Sequence, residues 1–412
     1  MPFETVAAAM RDAVPPHYLW LTWIDPSPEH DGQRLYSGKL IEAVAEAGAK
    51  IEVLCFASEE SAHRAQDRDG NVTWWTVSRG RRPAWASVFS SLPNVAYRSA
   101  TAEMAASLHH GLANGHWDKI VFDGLATGWA LPILEPVRTA GAGYPEIIYV
   151  AHNHEESTRA LVARNYEGGN PFMRLALAQD AQKARRLERR LVDAADVVTA
   201  ISEEDAEKFR SNAPDKRIIV LPPGYAGARV RHREITDDTP RLAVLVGSFD
   251  WVAKQMNLEE FLAHADAALA AEGIRLRIIG GGPPGYVENL ARHAMATEFL
   301  GRVTRVEPHL HDARIAVVPE RTGGGFKLKI LDYVFNRIPI LAMEGSIAGA
   351  PLRPPADVLT YRSFDDLVSG IIHAVDDLPL LNSLQNRAFD ACVDGFDWRQ
   401  RGERFLAYAE AK

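Results

Sequence analysis

Short apolar runs alternate with longer amphipathic segments along most of this chain of 412 residues. The runs have the length of buried strands, and the segments between them repeat their apolar residues at helical spacing. Such alternation is typical of parallel sheets covered by helices on both faces. A first series of predicted strands comprises residues 18–23, 51–56, 73–77, 119–122, 147–151, 197–201 and 218–221. The helices predicted between them are 35–47, 101–112, 126–139 and 171–194.

A second series of the same kind begins at residue 242. It comprises strands 242–246, 276–279, 298–300 and 315–318 and helices 258–272, 287–292 and 328–336. The segment 222–227, rich in proline and glycine, and the polar run up to Pro240 separate the two series. We therefore predict an α/β fold with two doubly wound domains, residues 1–225 and 226–395. Ligands are expected at the carboxyl ends of the strands and in the cleft between the domains.

The end of the chain, residues 396–412, is predicted to contain an amphipathic helix over residues 400–410. Such a helix could pack on the second domain or cross back to the first. Periodicity does not choose between these two arrangements.

Charge and cysteine content exclude several classes of function. The net charge of -8 argues against nucleic acid as a partner, because phosphate backbones bind to basic faces. Cys55 and Cys392 are far apart in the sequence and are expected to be reduced thiols of a cytoplasmic protein. No apolar run reaches the ~18 residues of a membrane span. Residues 1–16 lack the apolar core of a signal peptide.

A run of three glycines follows the predicted strand 315–318 and comes before a helix expected to begin near Phe326. These glycines, which allow a sharp turn and a close approach to a ligand, are Gly323, Gly324 and Gly325. Amides at a helix start form an anion site, and Lys327 and Lys329 add positive charge. Asp332, expected two turns into the helix, could accept hydrogen bonds from hydroxyls. The pattern favours a nucleotide or nucleotide-sugar, and a glycine-rich turn before a surface helix is the alternative.

Two other glycine-bearing loops follow predicted strands of the second domain. Gly247 and Ser248 could present backbone and hydroxyl donors to a phosphate, with Lys254 close behind to neutralise it. The alternative is a plain strand–turn–helix with an aspartate cap. The glycines of segment 280–285 lack the spacing of a nicotinamide-binding motif, so a tight turn is the simpler interpretation.

In the first domain, polar residues follow the strand 147–151 directly. His152 could donate a hydrogen bond to a sugar hydroxyl or take part in proton transfer. Asn153, Glu155 and Arg159 lie beside it in sequence. Metal binding through the histidines is disfavoured, because no third ligand has suitable spacing. Gly32, in the loop after the first strand, faces the same cleft or belongs to an ordinary turn.

A cluster of basic residues could draw the helix 171–194 to anionic lipid. The cluster comprises Arg174, Lys183, Arg185, Arg186, Arg189 and Arg190. The alternative is a solvated helix face that pairs with Asp180 and Glu188. The tryptophans of the first domain could likewise be core residues or stack on acceptor sugars.

The order of these features resembles the family 4-type glycosyltransferases, which have two Rossmann-like domains in the GT-B architecture. The resemblance rests on His152-Asn153, on the Gly-Ser-Phe-Asp-Trp loop at 247–251, and on the Gly-Gly-Gly-Phe-Lys-Leu-Lys-Ile-Leu-Asp segment at 323–332. The segments 185–190 and 200–205 and the closing Phe-Asp-Trp at 396–398 fit the same pattern. The similarity spans nearly the whole chain.

The resemblance implies a glycosyltransferase that uses a UDP- or GDP-linked sugar and a saccharide or lipid-linked acceptor in polysaccharide or glycoconjugate synthesis. It implies retention of configuration, no cofactor and no required metal. The second domain would bind the donor, the first domain the acceptor, and the C-terminal helix would cross to the first domain. The implied donor-binding residues are Gly32, Gly247, Ser248, Lys254, Gly323, Gly324, Gly325, Phe326, Lys327 and Asp332. The implied acceptor-binding residues are Asn153, Glu155 and Arg159, with His152 and Lys327 in catalytic roles.

Two positions depart from the family pattern. The pattern has two glutamates eight positions apart, whereas here Asp332 takes the second position and Gly324 the first. Ser248 stands where many members have arginine. The missing glutamate at Gly324 leaves open an inactive nucleotide-sugar-binding partner subunit. A nucleotide-sugar epimerase of the same architecture, which would bind the same donor without an acceptor, is the second alternative.

Overall fold

Two separate parallel sheets form the structure, as the alternating pattern predicts. It is a computed structural model that describes residues 15–29, 31–58, 70–78, 80, 82–138, 144–166, 170–321 and 325–410. The chain divides into a first unit, Met1–Gly224 with Asp397–Lys412, and a second unit, Tyr225–Phe396. The strand pairings of the described residues are parallel in both sheets, which confirms the predicted α/β class.

The sheet of the first unit has seven strands in the order β3-β2-β1-β4-β5-β6-β7. Its strands are β1 His17–Ile24, β2 Lys50–Phe56, β3 Val72–Val77, β4 Lys119–Asp123, β5 Glu146–Ala151, β6 Val197–Ala200 and β7 Arg217–Val220. β1, β4 and β5 are almost entirely buried because helices cover both faces of the sheet. The strand order reverses between β1 and β4, and ligands of such sheets bind beyond the carboxyl ends of the strands at this point.

Five of the α-helices described in the first unit begin at a side-chain cap. The α-helices of this unit are α1 Gly32–Glu46, α2 Asn94–Ser99, α3 Ala102–Asn114, α4 Leu131–Arg138, α5 Glu155–Asn165, α6 Pro171–Ala194 and α7 Glu203–Asn212. The side chains of Asn170 and Ser202 cap α6 and α7. The helix predicted at 126–139 is wrong in its first half: Leu125–Ala130 is a 3-10 helix, and the α-helix starts only at Leu131, where Pro132 fits the first turn.

The sheet of the second unit has six strands in the order β10-β9-β8-β11-β12-β13. These strands are β8 Leu242–Val246, β9 Arg275–Ile279, β10 Thr297–Gly301, β11 Ile315–Val318, β12 Ile340–Met343 and β13 Leu359–Tyr361. The helices are α8 Val252–Ala271, α9 Tyr286–Ala291, α10 Glu307–Leu310, α11 Lys329–Phe335, α12 Phe364–Ala374 and α13 Leu378–Cys392. The order reverses between β8 and β11, which the Gly247 loop and the run of three glycines follow.

The C-terminal helix, α14 Trp398–Glu410, belongs to the first unit. A Cβ atom at Gly402 would lie 2.0 Å from the carbonyl oxygen of Ala43 in α1, so only glycine permits this close helix contact. The ring of Phe405 packs 5.5 Å from that of Trp20, and Nζ of Lys119 donates to the carbonyl of Ala409 at 2.7 Å. The predicted return of this helix to the first domain is confirmed.

In the part of the chain that the structure describes, no helix combines the length and the apolar character needed to cross a membrane.

Candidate active site

A carboxylate gathers the lysines of two loops in the second unit. Glu320 lies two residues after β11, and its side chain forms an ion pair with Nζ of Lys329 in the first turn of α11. Burial alone would raise the pKa of Glu320, but the positive charges of Lys329, Lys327 and Lys254 lower it. Lys254 comes from the first turn of α8, after β8. The carboxyl ends of β8 and β11 therefore bring three ammonium groups around one carboxylate.

The helix after the glycine loop begins at Lys329, within one residue of the predicted range 328–336 and later than the start near Phe326 expected from the glycine pattern. Gly323 and Gly324 lie outside the described residues. Gly325 has φ 71°, a left-handed conformation that cannot continue into a helix, and Leu328 is the cap of α11. Asp332 therefore lies in the first turn of α11 and not two turns into it, so this part of the prediction was wrong. Two residues lie between Gly325 and the cap Leu328. Phe326 is buried against Phe396, and Nζ of Lys327 donates to the carbonyl of Gly325 at 3.1 Å.

Two hydrogen bonds hold this loop against neighbouring elements. The side chain of Asn257 in α8 accepts from the backbone N–H of Arg321 at 2.9 Å. The hydroxyl of Tyr333 in α11 accepts from the backbone N–H of Val246, the last residue of β8, at 2.7 Å. Both ends of the glycine loop are thus tied to the β8 side of the sheet, which places Lys254 and Lys327 in the same region.

The glycines after β8 and β9 are required by a close backbone contact. Gly280 has φ 138°, and a Cβ atom there would lie 1.6 Å from the carbonyl oxygen of Gly247. The N–H of Gly247 donates to the carbonyl of Ile279 at 2.9 Å, and the N–H of Phe249 donates to that of Gly281 at 2.7 Å. The glycine cluster after β9 therefore packs against the Gly247 loop, consistent with the simpler interpretation given above.

Ser248 belongs to a polar chain that ends in an arginine. Its hydroxyl donates to Oδ2 of Asp250 at 2.9 Å. Nη2 of Arg302, just after β10, donates to both oxygens of Asp250 at 2.9 and 2.8 Å. The protein has Ser248 where the family pattern often has an arginine. Arg302, which follows β10, brings a guanidinium group to the same loop. Arg302 is far from Asp250 in the sequence, so local sequence patterns do not predict their contact.

Asp332 is a buried acid in the second unit. Burial, followed by the negative charge of Glu307, raises its pKa to about 7. Burial also raises the pKa of Tyr225, with Asp332 as the next cause, so the phenol and the carboxyl are neighbours. Asp332 therefore changes charge near neutral pH and becomes a hydrogen-bond acceptor as it does so.

In the first unit, His152 is paired with an aspartate that the sequence did not single out. Nε2 of His152, the first residue after β5, lies 2.6 Å from Oδ1 of Asp123 at the end of β4. The other carboxylate oxygen accepts from Nε1 of Trp20 at 3.0 Å. A carboxylate only accepts, so Nε2 bears the proton. Within the described ranges, Nδ1 of His152 is buried without a hydrogen-bond partner. This nitrogen can accept a hydrogen bond from a ligand.

Gly124 allows the loops around His152 to approach each other. It has φ 83°, and a Cβ atom there would lie 3.0 Å from Cδ2 of His152 and 3.4 Å from Nε2 of Gln33. Gln33 is next to the predicted residue Gly32, which is the first residue of α1, with Asp31 as its cap. The Asp31–Gly32 turn thus lies near His152 in the first unit. In this turn Asp31 caps α1 by accepting from the N–H of Arg34.

The other predicted acceptor-binding residues form a buried network between α5 and α6. Nε of Arg159 donates to Glu155 at 2.6 Å, and Nη1 donates to Asp180 at 2.8 Å. Asn153 donates to Oε1 of Glu155 at 3.2 Å. The carboxylate of Glu188 accepts from the N–H groups at the start of α5, at 2.8 and 2.7 Å. These contacts orient the segment after His152, and contact with an acceptor stays a prediction.

The basic cluster of α6 is divided among several partners. Arg185 and Arg189 pair with Glu156, and Arg190 pairs with Glu135. Lys183 is buried and donates to backbone carbonyls at 2.8 and 3.1 Å. The predicted partners were wrong, because Asp180 binds Arg159 and Glu188 caps α5. The paired arginines form a solvated helix face.

No group of three or more His, Cys, Asp or Glu side chains suited to hold a metal ion occurs among the residues that the structure describes.

Sequence profiles of two glycosyltransferase families match the chain. The profile described as "Glycosyl transferase 4-like domain" matches residues 31–224, and "Glycosyl transferases group 1" matches residues 240–377. The chain belongs to the family 4-type glycosyltransferases. Its first profile covers the His152 loop, and its second covers the lysine and glycine loops. No curated protein sequence matches this glycosyltransferase.

Solved structures of glycosyltransferases share its fold. Sucrose-phosphate synthase from Thermosynechococcus elongatus has a TM-score of 0.69 at 16% identity, with 95% of this chain and 98% of that chain covered. HepE from Anabaena, solved with UDP and glucose, has a TM-score of 0.66 at 12% identity, with coverage of 96% and 99%. WaaG, a glycosyltransferase involved in lipopolysaccharide biosynthesis, has a TM-score of 0.66 at 16% identity, with coverage of 96% and 100%. At these identities the likeness shows the fold alone, which is GT-B.

Proposed function

We propose that this glycosyltransferase moves a sugar from a UDP- or GDP-linked donor to a hydroxyl of a saccharide or lipid-linked acceptor. The gathering of Lys254, Lys327 and Lys329 around Glu320 is the observation that supports a donor diphosphate in the second unit. HepE, of the same fold, was solved with UDP and glucose. WaaG is involved in lipopolysaccharide biosynthesis, and we propose a comparable role in the synthesis of surface polysaccharide or glycoconjugates.

The proposed reaction breaks the bond between the anomeric carbon and the diphosphate oxygen and forms one to the acceptor oxygen. Negative charge develops on the departing diphosphate, and Lys254 and Lys327 stabilise it electrostatically without a required metal. In a retaining reaction the departing phosphate takes the proton of the incoming hydroxyl. Nδ1 of His152 accepts a hydrogen bond from a second hydroxyl of the acceptor and so orients the acceptor, with Asp123 fixing the imidazole.

Asp332 is the proposed contact for the nucleotide part of the donor. Its carboxylate would accept hydrogen bonds from the ribose hydroxyls of the nucleotide. Gly247, Ser248 and Gly325 would lie beside the diphosphate and the donor sugar. The buried position of Asp332 excludes water, and this strengthens hydrogen bonds to its charged form.

Calorimetric titration with UDP, GDP, ADP and NAD, with and without Mg²⁺, tests this function. We expect micromolar binding of one nucleoside diphosphate, independent of Mg²⁺. Lys327→Ala should abolish most of this binding and lower kcat by about 10²–10³, as the loss of one oxyanion donor does. Lys50→Ala, at an exposed strand start in the first unit, is the matched control. Binding of NAD alone, or of none of the four, would overturn the proposal.

A further inference from the structure

Exposed apolar side chains concentrate on one region of the first unit. The described residues include eight large hydrophobic side chains that are exposed, and six of them lie at the 3-10 helix Ala84–Phe89 or at the start of α6. Phe89 is 85% exposed and Phe172 is 82% exposed. We call this set the apolar tip, and its residues are Trp85, Val88, Phe89, Phe172, Met173 and Leu175. Such a concentration marks an interaction site on a soluble surface.

The two segments of the apolar tip are adjacent. In α6, Gln179 and Lys183 donate to the carbonyls of Val88 and Ser87 at 3.1 and 2.8 Å. Phe172 and Leu175 precede Gln179 by seven and four residues, so they lie on the same helix face as these contacts. The apolar side chains of α6 therefore continue the surface that begins at the 3-10 helix.

Hydrogen bonds hold the backbone of the tip in place. The side chain of Asn94 donates to the carbonyl of Ala84 at 2.9 Å and to the hydroxyl of Ser87 at 3.1 Å. Its backbone N–H donates to Asp180 at 2.6 Å. Lys183 is buried below the same turn. The fold thus presents Trp85 and Phe89 to the outside on a fixed support, and their exposure does not come from a loose chain end.

The geometry points to a phospholipid bilayer as the partner: we propose that the apolar tip inserts into the surface layer of an anionic membrane. Phe172, Met173 and Leu175 span an arc of about 160° around α6, and Arg174 lies on the opposite side. All five residues from 171 to 175 are exposed, so the helix end projects as a whole. A protein partner covers one stripe of a helix, whereas a bilayer surrounds a projecting end.

The composition of the tip agrees with this partner. Tryptophan and phenylalanine are favoured at the interface between headgroups and acyl chains. Arg174 can bind lipid phosphate by charge-assisted hydrogen bonds. Of the basic cluster of α6, Arg189 and Arg190 pair with Glu156 and Glu135, whereas Arg174 lies beside the apolar side chains at the start of the helix. A membrane contact there suits a lipid-linked acceptor and in that respect rests on the proposed function.

Co-sedimentation of the full chain with vesicles tests the proposal. We expect binding to vesicles of phosphatidylcholine with phosphatidylglycerol. The variants Trp85→Ser/Phe89→Ser and Phe172→Ser/Leu175→Ser should each weaken partition at least about tenfold, and Arg174→Glu should weaken it only for anionic vesicles. Met295→Ser and Arg275→Glu, exposed positions of the second unit, are matched controls. Brominated acyl chains should quench wild-type fluorescence more than that of Trp85→Phe.

The outcomes separate this proposal from the proposed function. UDP or GDP binding of the tip variants should equal that of the wild type, because the lysine cluster lies in the second unit. The membrane assignment would be overturned if the wild-type protein binds neither these anionic vesicles nor vesicles of phosphatidylcholine alone. It would also be overturned if the tip variants bind as well as the wild type. A concentration-dependent dimer that the same substitutions abolish would also overturn it. Vesicle binding without nucleotide binding would refute only the donor site.

Discussion

Replacing Glu320 by glutamine tests whether its ion pair with Lys329 stabilises β11 and α11. Glu320 forms its ion pair with Lys329, which is itself buried in the first turn of α11. The substitution keeps the size of the side chain and removes its charge. The ammonium of Lys329 would then be buried without a counterion, close to Lys327 and Lys254. We expect local destabilisation of β11 and α11.

The magnitude follows from the burial of the pair. Removing one partner of a buried ion pair costs about 3–5 kcal/mol. The glutamine oxygen can still accept a hydrogen bond from Lys329, which recovers about 1 kcal/mol. The net loss of about 2–4 kcal/mol would speed amide exchange roughly 30- to 700-fold, at 1.4 kcal/mol for each tenfold change.

Hydrogen exchange measured by mass spectrometry is the suitable assay, because a chain with two units need not unfold in one transition. Peptides covering β11 and α11 should show the faster exchange, and peptides covering β4 should not. Glu320→Gln/Lys329→Met removes both charges and should recover most of the loss. Wild-type exchange rates in Glu320→Gln, or a double variant no better protected than the single one, would refute the argument.

Two further predictions concern the titratable groups of the site. Asp123→Asn should lower the rate of sugar transfer by about 10² with UDP or GDP affinity unchanged, which steady-state kinetics and calorimetry would measure; an unaltered rate would exclude this positioning role. Because the pKa of Asp332 is raised to about 7, its carboxylate forms as pH rises from 6 to 8. Because this pKa is raised from 3.8, the free protein loses stability as pH rises from about 4 to about 7. Donor affinity should rise with pH and the same series on Asp332→Asn should be flatter; parallel curves would contradict the ribose contact.

The sequence alone predicts much of the architecture because parallel strands buried on both faces need continuous apolar runs. The strands 242–246 and 315–318 and the helix 171–194 have the predicted bounds. Helix starts are predictable where a local cap exists, as at Asn170. The start near Phe326 expected for α11 was wrong, because the helix start depends on the left-handed conformation of Gly325 and not on a capping side chain.

The partners of the site residues could not be predicted in the same way. His152 was predicted from its position after β5, but its pairing with Asp123 requires β4 and β5 to be neighbours in the sheet. Asp250 and Arg302 come from loops after β8 and β10, and their contact depends on these strands lying on either side of β9. Local periodicity fixes which residues end a strand and leaves open which strand ends lie side by side. Glu320 had no local signal at all.

The two units use the same arrangement to hold their functional side chains. In each, a carboxylate at or just beyond the end of an inner strand fixes a titratable side chain: Asp123 fixes His152, which follows the neighbouring strand β5, and Glu320 fixes Lys329 in the helix that follows β11. Strand ends are rigid, so they position a side chain more accurately than a loop can by itself. A carboxylate in this role need not contact substrate. Its loss should therefore reduce turnover through misplacement of its partner, and the largest effect should fall on kcat because transition-state stabilisation is more sensitive to geometry than ground-state binding is.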